Sequence, residues 1–147
     1  MILIDANIFM YAAGTEHPHK QPSLAFLRRV ARDEVEVLID AEVLQEILHR
    51  YRAIGRWAEG GGVFDLARRV VPTVAPITAD VVGLAREILD AHDGATARDA
   101  LHAAVCRQTG AEAICSYDRD FDDISGIRRI EPGAYSPGRS PQQEESR

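Results

Sequence analysis

MILIDANIFMYAA, residues 1–13, sets an apolar run, a carboxylate and a short helical stretch in immediate succession. Residues 1–4 form the kind of uninterrupted apolar run that a strand buried on both faces carries. Asp5 ends it, and residues 7–13 read as a short helix or turn. The same alternation recurs down the chain. TEHPHKQP (15–22) reads as a loop, and Ser23 as the N-cap of a helix, SLAFLRRVARD, with Leu24, Leu27 and Val30 on one side. VEVLID (35–40) is a second strand. The helix after it, AEVLQEILHRYRAI, puts Val43, Leu44, Ile47, Leu48 and Tyr51 on one stripe.

The run Gly60, Gly61, Gly62 is expected to break the chain, with VFDLARRVV forming a separate helix that ends before Pro72. TVAPI offers a short third strand, with Pro76 marking an edge or a strand end. Two more helical patterns follow. The first turns Val81, Leu84, Ala85, Ile88 and Leu89 inward; the second, ATARDALHAAVCRQTG, is capped by Thr96 and stopped by Gly110. A strand over 113–116 and a last short one near 128–130 complete the series. Strands alternating with helices predict a parallel sheet covered by helices on both faces. In such sheets functional groups collect beyond the carboxyl ends of the strands, near the point where strand order reverses.

Composition fits one domain. The chain has 147 residues, 46% hydrophobic and 27% charged, enough to bury a core without disulfide staples. No apolar run approaches the length of a membrane span, and the start lacks the features of a secretory signal, so a cytoplasmic protein is expected. Cys106 and Cys115 sit in apolar stretches without metal or redox spacing and read as buried reduced thiols. After Glu131, proline, glycine, serine and charge replace the apolar pattern; residues 1–131 are expected to form the domain and 132–147 a mobile tail. The net charge of −6 argues against a surface that grips nucleic acid throughout, but not against an acidic metal site. Lys20 is the only lysine; the remaining basic residues are arginines, which suit phosphate contacts and ordinary ion pairs alike.

Chemistry concentrates in the acids. Asp5 ends the first strand, and Asp118 closely follows the strand over 113–116, with Asp120, Asp122 and Asp123 behind it. Each alone is explained by an N-cap or an Asx turn. Asp99 sits in the first turn of its helix, where its charge suits the dipole. The rest of that helix is so apolar and small that a carboxylate heading it needs a partner. Glu46 lies beside the apolar stripe of its own helix, pairing with Arg50 or pointing into a cleft beside the sheet. Mg²⁺ and Mn²⁺ prefer such oxygen donors, and an all-carboxylate site favours phosphoryl-transfer hydrolysis over zinc chemistry. The five histidines, His17, His19, His49, His92 and His102, show no evident pairing and are expected at the surface or behind the acids, with His102 able to touch the site edge.

Taken in order, MILIDANIFMYA, Glu46 in EVLQEILHRY, Asp99 in RDALHAA and SYDRDF resemble the PIN-domain ribonucleases, most closely the VapC toxins of toxin–antitoxin pairs, over about the first 130 residues. The resemblance implies a three-layer α/β/α fold with a parallel sheet of about five strands. It implies that Asp5, Glu46, Asp99 and Asp118 share one pocket, that Asp5 and Asp99 bind Mg²⁺ (or Mn²⁺) directly, and that Glu46 and Asp118 complete the site through water or a second ion. Asn7 and Ser116 match polar positions that hold the acids in place, and Asp120 competes with Asp118 for the approach to the metal. It further implies endoribonuclease action on structured RNA (transfer or ribosomal), a homodimer, and a cognate VapB-like antitoxin whose tail enters the groove. Arg28, Arg29, Arg32, Arg50, Arg52 and Arg56 are candidates for a basic rim. The alternatives are a catalytically silent module of the same fold and a Mg²⁺-dependent phosphatase of a different one. The phosphatase usually carries DxD after its first strand, whereas Asn7 stands two residues after Asp5 here, and no lysine lies downstream.

Overall fold

The computed structural model describes residues 1–135. Strand β1 (Ile2–Ile4) leads through α1 (Ala6–Ala13) and α2 (Lys20–Ala31) to β2 (Val37–Asp40). Then come α3 (Ala41–Ala53), α4 (Trp57–Val70), β3 (Val74–Ala75), α5 (Ala79–Ala91) and α6 (Ala97–Thr109). β4 (Ala113–Cys115), a 3-10 turn (Arg119–Asp123), β5 (Arg129–Ile130) and a last 3-10 turn (Pro132–Ala134) complete it. The five strands form one parallel sheet in the order β3-β2-β1-β4-β5. Strand order reverses beside β1, where the chain moves outward through β2 and β3 and later returns to place β4 on the other side.

Side-chain alternation on the central strands builds the three layers. Ile2 and Ile4 of β1, Ile39 of β2, and Ala113 and Cys115 of β4 face one core, shared with α1, α2, α3 and α4. Leu3, Leu38 and Ile114 face the other, shared with α5 and α6. The central strands are buried on both faces, which is why they read as continuous apolar runs. On α6 the small residues Ala100, Ala103 and Ala104 are fully buried and let the helix lie close to α5 and the sheet. Among the described residues no helix is long and apolar enough to cross a membrane.

Three local expectations change. Helix α2 begins at Lys20, not after Ser23; His19 occupies the cap position without a side-chain bond, and Ser23 is fully buried inside the helix. Pro22 suggested a loop, but it falls in the first turn, where a backbone N–H has no intrahelical partner to lose. The glycine run does not break the chain: α4 passes straight through Gly60, Gly61 and Gly62. Gly60 lies against α3, where a Cβ would come 2.5 Å from the Cβ of Tyr51; at Gly61 and Gly62 a Cβ would meet nothing within 4 Å. The first glycine permits close helix approach, and tertiary packing outweighs the poor helix propensity of the others. Beyond Glu131, Pro132 is buried and Tyr135 packs on α2, its ring edge-on to Phe26 and under the Arg29 guanidinium, 4.9 Å from Cζ to centroid. The remainder of the expected tail, 136–147, lies outside the described residues.

Two predictions follow from this packing. Gly60→Ala forces Tyr51 and α3 to shift and lowers unfolding stability by about 1–3 kcal/mol, whereas Gly61→Ala and Gly62→Ala raise it by up to about 1 kcal/mol; urea unfolding of the three variants measures the contrast. Burial pushes the Cys106 thiol up to about 12 and raises Cys115 as well, so both stay protonated. Neither reacts with an aromatic disulfide reagent at pH 8 in the folded protein, and both react once it is unfolded.

Candidate active site

Asp5, Asp40 and Ser116 immediately follow or end β1, β2 and β4, and so stand side by side along the carboxyl edge of the sheet. The backbone N–H of Asp5 donates to the Cys115 carbonyl (3.0 Å), which carries the pairing of β1 with β4 one step past the strand. Asp5 also caps α1: its Oδ1 accepts from the Ala6 N–H at 2.7 Å. Its Oδ2 accepts from the Ser116 hydroxyl at 2.6 Å and from Asn7 Nδ2 at 3.3 Å. Ser116 Oγ in turn accepts from Asn7 Nδ2 (3.1 Å) and from the Asp118 N–H (3.0 Å). One buried hydroxyl therefore ties the first strand's carboxylate to the start of the Asp118 turn.

Asp118 caps the 3-10 turn, its Oδ1 accepting from the Asp120 N–H at 2.9 Å. Thr96 caps α6 and accepts from the Asp99 N–H at 3.2 Å. These two caps bring Asp99, Asp118 and Asp120 together, with a carboxylate oxygen from each within 4.8 Å of the others. Asp99 is buried, Asp118 half-buried and Asp120 exposed. Burial, then the charges of Asp118 and Asp120, push the Asp99 carboxyl above its ordinary range, against the Thr96 hydrogen bond.

Glu46 points from α3 into the same space and is buried. Arg50 is not its partner. Its Oε1 lies 2.7 Å from Nε2 of His102, and Arg98 reaches it at 3.8 Å. The other ring nitrogen of His102, Nδ1, lies 2.7 Å from Oδ2 of Asp40, and Asp5 Oδ1 is 3.9 Å from Nε2. His102 and Asp40 are both fully buried. With a carboxylate oxygen facing each nitrogen, the geometry favours the imidazolium, which donates from both. Burial pulls the imidazole toward neutrality, but the hydrogen bonds to Asp40 and Glu46 outweigh it and hold its pKa well above the usual value. Desolvation raises Glu46, opposed chiefly by His102.

His102 and Asp40 are the residues that sequence reading underweighted. Of the two places expected for the histidine, the surface or behind the acids, it takes the second, in the interior and doubly paired. Its i+3 spacing from Asp99 already placed the two on one face of α6, and Asp40 ends β2 much as Asp5 follows β1. His49 lines the cleft over the acids, and the other three histidines lie elsewhere. His17 and His19 cluster with Tyr11 and Tyr117, the His19 and Tyr117 rings stacked at 3.7 Å, and His92 bonds Ile88 O and Ser125.

A cleft of about 810 Å³ opens over these acids, lined by Asp5, Asn7, Glu46, Asp99, His102, Asp118 and Asp120 among others. Of the six candidate rim arginines only Arg50 lines it, joined by Arg98. Arg29 and Arg32 turn to Glu34, and Arg56 to Glu59. The donor chemistry fits a hard divalent cation unevenly. Asp5, Glu46 and His102 are close enough to form a ligand set, but His102 has no lone pair to offer and already supplies positive charge there. Asp99, Asp118 and Asp120 have no cation partner among the described residues, so their mutual repulsion is what a cation beside Asp5 and Asp99 would relieve.

A family model described as PIN domain matches residues 2–127. The chain is 42% identical over 130 residues to VapC ribonuclease Mb1869c of Mycobacterium bovis, covering 88% of this chain and 99% of the relative. The same figures hold for ribonuclease VapC13 of Mycobacterium tuberculosis. Two solved structures share the fold. One is M. tuberculosis VapC20, described as a sarcin-ricin loop cleaving toxin (TM-score 0.70, 21% identity, covering 85% of this chain and 95% of that one). The other is VapBC2 from Rickettsia felis bound to a promoter DNA fragment (TM-score 0.71, 16% identity, covering 89% and 98%). The three-layer parallel sheet and the matched span of sequence agree: the chain belongs to the PIN-domain family, among its VapC ribonucleases.

Proposed function

We propose that this chain is the toxin of a type II toxin–antitoxin pair, a Mg²⁺- or Mn²⁺-dependent endoribonuclease of the cytoplasm that hydrolyses phosphodiester bonds in structured RNA, transfer or ribosomal. The observation that carries this reading is the convergence of Asp5, Glu46, Asp99 and Asp118 on one open cleft at the β1/β4 switch point. Asp5 and Asp99 are the direct metal ligands; Glu46, Asp118 and Asp120 act through water or a second ion. A bound divalent cation supplies an activated water and stabilises charge developing on the phosphodiester. The chain's own residues supply position. Ser116, Asn7 and the Ala6 N–H fix the Asp5 carboxylate in one orientation, and His102 holds Glu46 toward the cleft while offsetting its charge. Arg50 and Arg98 stand on the wall where an RNA backbone would enter. In this reading the protein is a homodimer, and a VapB-like antitoxin silences it by placing its tail in the same cleft.

Purified, antitoxin-free protein incubated with total RNA yields discrete cuts in Mg²⁺ or Mn²⁺ and none in EDTA. Asp5→Asn keeps the α1 cap and abolishes the cuts. Cleavage that persists in EDTA, or full activity in Asp5→Asn, would overturn the nuclease reading. Ser116→Ala frees the Asp5 carboxylate and lowers the rate about 10–100-fold, as loss of a residue that orients a metal ligand does. His102→Ala strands two buried carboxylates, loses cleavage, and lowers unfolding stability by about 3–5 kcal/mol in denaturant titration.

A further inference from the structure

The acidic cleft leaves a basic and aromatic corner beside it without a role. There the end of α3 and the first residue of α4 enclose a second hollow of about 420 Å³, lined by Leu48, His49, Arg52, Ala53 and Trp57. His49 and Ala53 line the acidic cleft as well, so the two spaces adjoin. No carboxylate lines the hollow, although the chain as a whole carries −6. Neither Arg50, on the adjoining wall, nor Arg52 forms an ion pair among the described residues. Arg52 instead places its guanidinium over the Trp57 ring, 5.1 Å from Cζ to centroid, and Trp57 remains 48% exposed.

A lone exposed tryptophan needs no explanation. One braced by a cation, next to an arginine with no ion pair among the described residues and adjoining the cleft, has the parts of a single-strand binding site: a flat ring for a base and cations for the flanking phosphates. We propose that Trp57 and Arg52 form a stacking subsite that holds one unpaired nucleobase of the RNA beside the cleft. This rests on the ribonuclease reading above and deepens it. The alternative occupant, a protein surface, fits less well. A stable protein interface covers about 800 Å² on each partner, and the exposed large apolar residues at this corner are Ile54 and Trp57 alone. Stacking is indifferent to base identity, so the subsite would select for an unpaired base at a set distance from the cut rather than for a sequence.

Trp57 is the only tryptophan, so its fluorescence reports this site directly. Antitoxin-free protein in EDTA is titrated with a short single-stranded oligouridylate and, separately, with inorganic polyphosphate. The RNA quenches the emission and polyphosphate does not, since phosphate alone has no ring to stack. In the cleavage assay with Mn²⁺, Trp57→Ala raises the half-saturating RNA concentration by about 5- to 150-fold, the range that loss of one base stack produces, with little change in the saturated rate. Trp57→Phe recovers most of the loss. Emission unmoved by RNA, or unchanged saturation in Trp57→Ala, overturns the subsite while leaving metal-dependent cleavage standing. Quenching by the cognate antitoxin but not by RNA also overturns it and assigns the corner to the protein partner. Should the parent chain fail to cut RNA at all, the nuclease reading falls, and the quenching titration still decides whether Trp57 stacks a base.

Discussion

An imidazolium clamped between two buried carboxylates holds the site together. His102 comes from α6, Asp40 from the end of β2, and Glu46 from α3, and the two hydrogen bonds, each 2.7 Å, join elements from opposite sides of the sheet. Buried charges are costly to desolvate, and such an arrangement persists only if each member is paired. Here the pairing is complete for His102. Asp40 spends its other oxygen on the Val43 N–H as the cap of α3, so the orientation of that helix, and with it the direction of Glu46, is set at the same point. The imidazolium also lies 3.9 Å from Asp5, so one cation faces the carboxylates of three different elements.

The compensation is one-sided, and that asymmetry gives the cleft its chemistry. One wall carries His102 and Arg98 against Asp40, Glu46 and Asp5. Beside them Asp99, Asp118 and Asp120 gather without an ion-pair partner among the described residues. A polyanion would be repelled by such a surface, and a divalent cation changes its sign locally. The arginines are placed to match. Arg29 and Arg32 are spent on Glu34, and Arg29 also on the Tyr135 carbonyl, whereas Arg50 and Arg52, without an ion pair among the described residues, stand at the far end of α3 beside the cleft. Net charge, which spoke against a nucleic-acid grip, averages over an acidic cleft and a corner whose lining holds no carboxylate.

The layered fold was legible because burial on both faces leaves a plain mark: ILI, VLID and AIC are short uninterrupted apolar runs, each followed by a helix or turn. The acids Asp5, Glu46, Asp99 and Asp118 were legible as a set through their order, not singly. What escaped depended on contacts distant in sequence. Nothing near Gly60 announces that Tyr51 will press on it, so a helix looked like a break. Nothing near His102 announces Asp40 and Glu46, which lie 62 and 56 residues away. Nothing near Ser23 announces that α2 starts at Lys20 and carries Pro22 in its first turn.

The N-cap reading of the strand-end acids and the site reading are not rivals. Asp5 caps α1 with Oδ1 and presents Oδ2 to Ser116 and Asn7. Asp118 caps its turn with Oδ1, and Asp40 divides its oxygens between a cap and His102. A carboxylate has two oxygens, and a parallel sheet places the starts of its helices at the edge where ligands bind. Fixing one oxygen on a helix N-terminus orients the other at little entropic cost, because the side chain is already immobilised. The bland explanation thus supplies the preorganisation that the chemical one requires. It follows that alanine at these positions confounds lost stability with lost chemistry, whereas asparagine keeps the capping oxygen and removes the charge together with one acceptor.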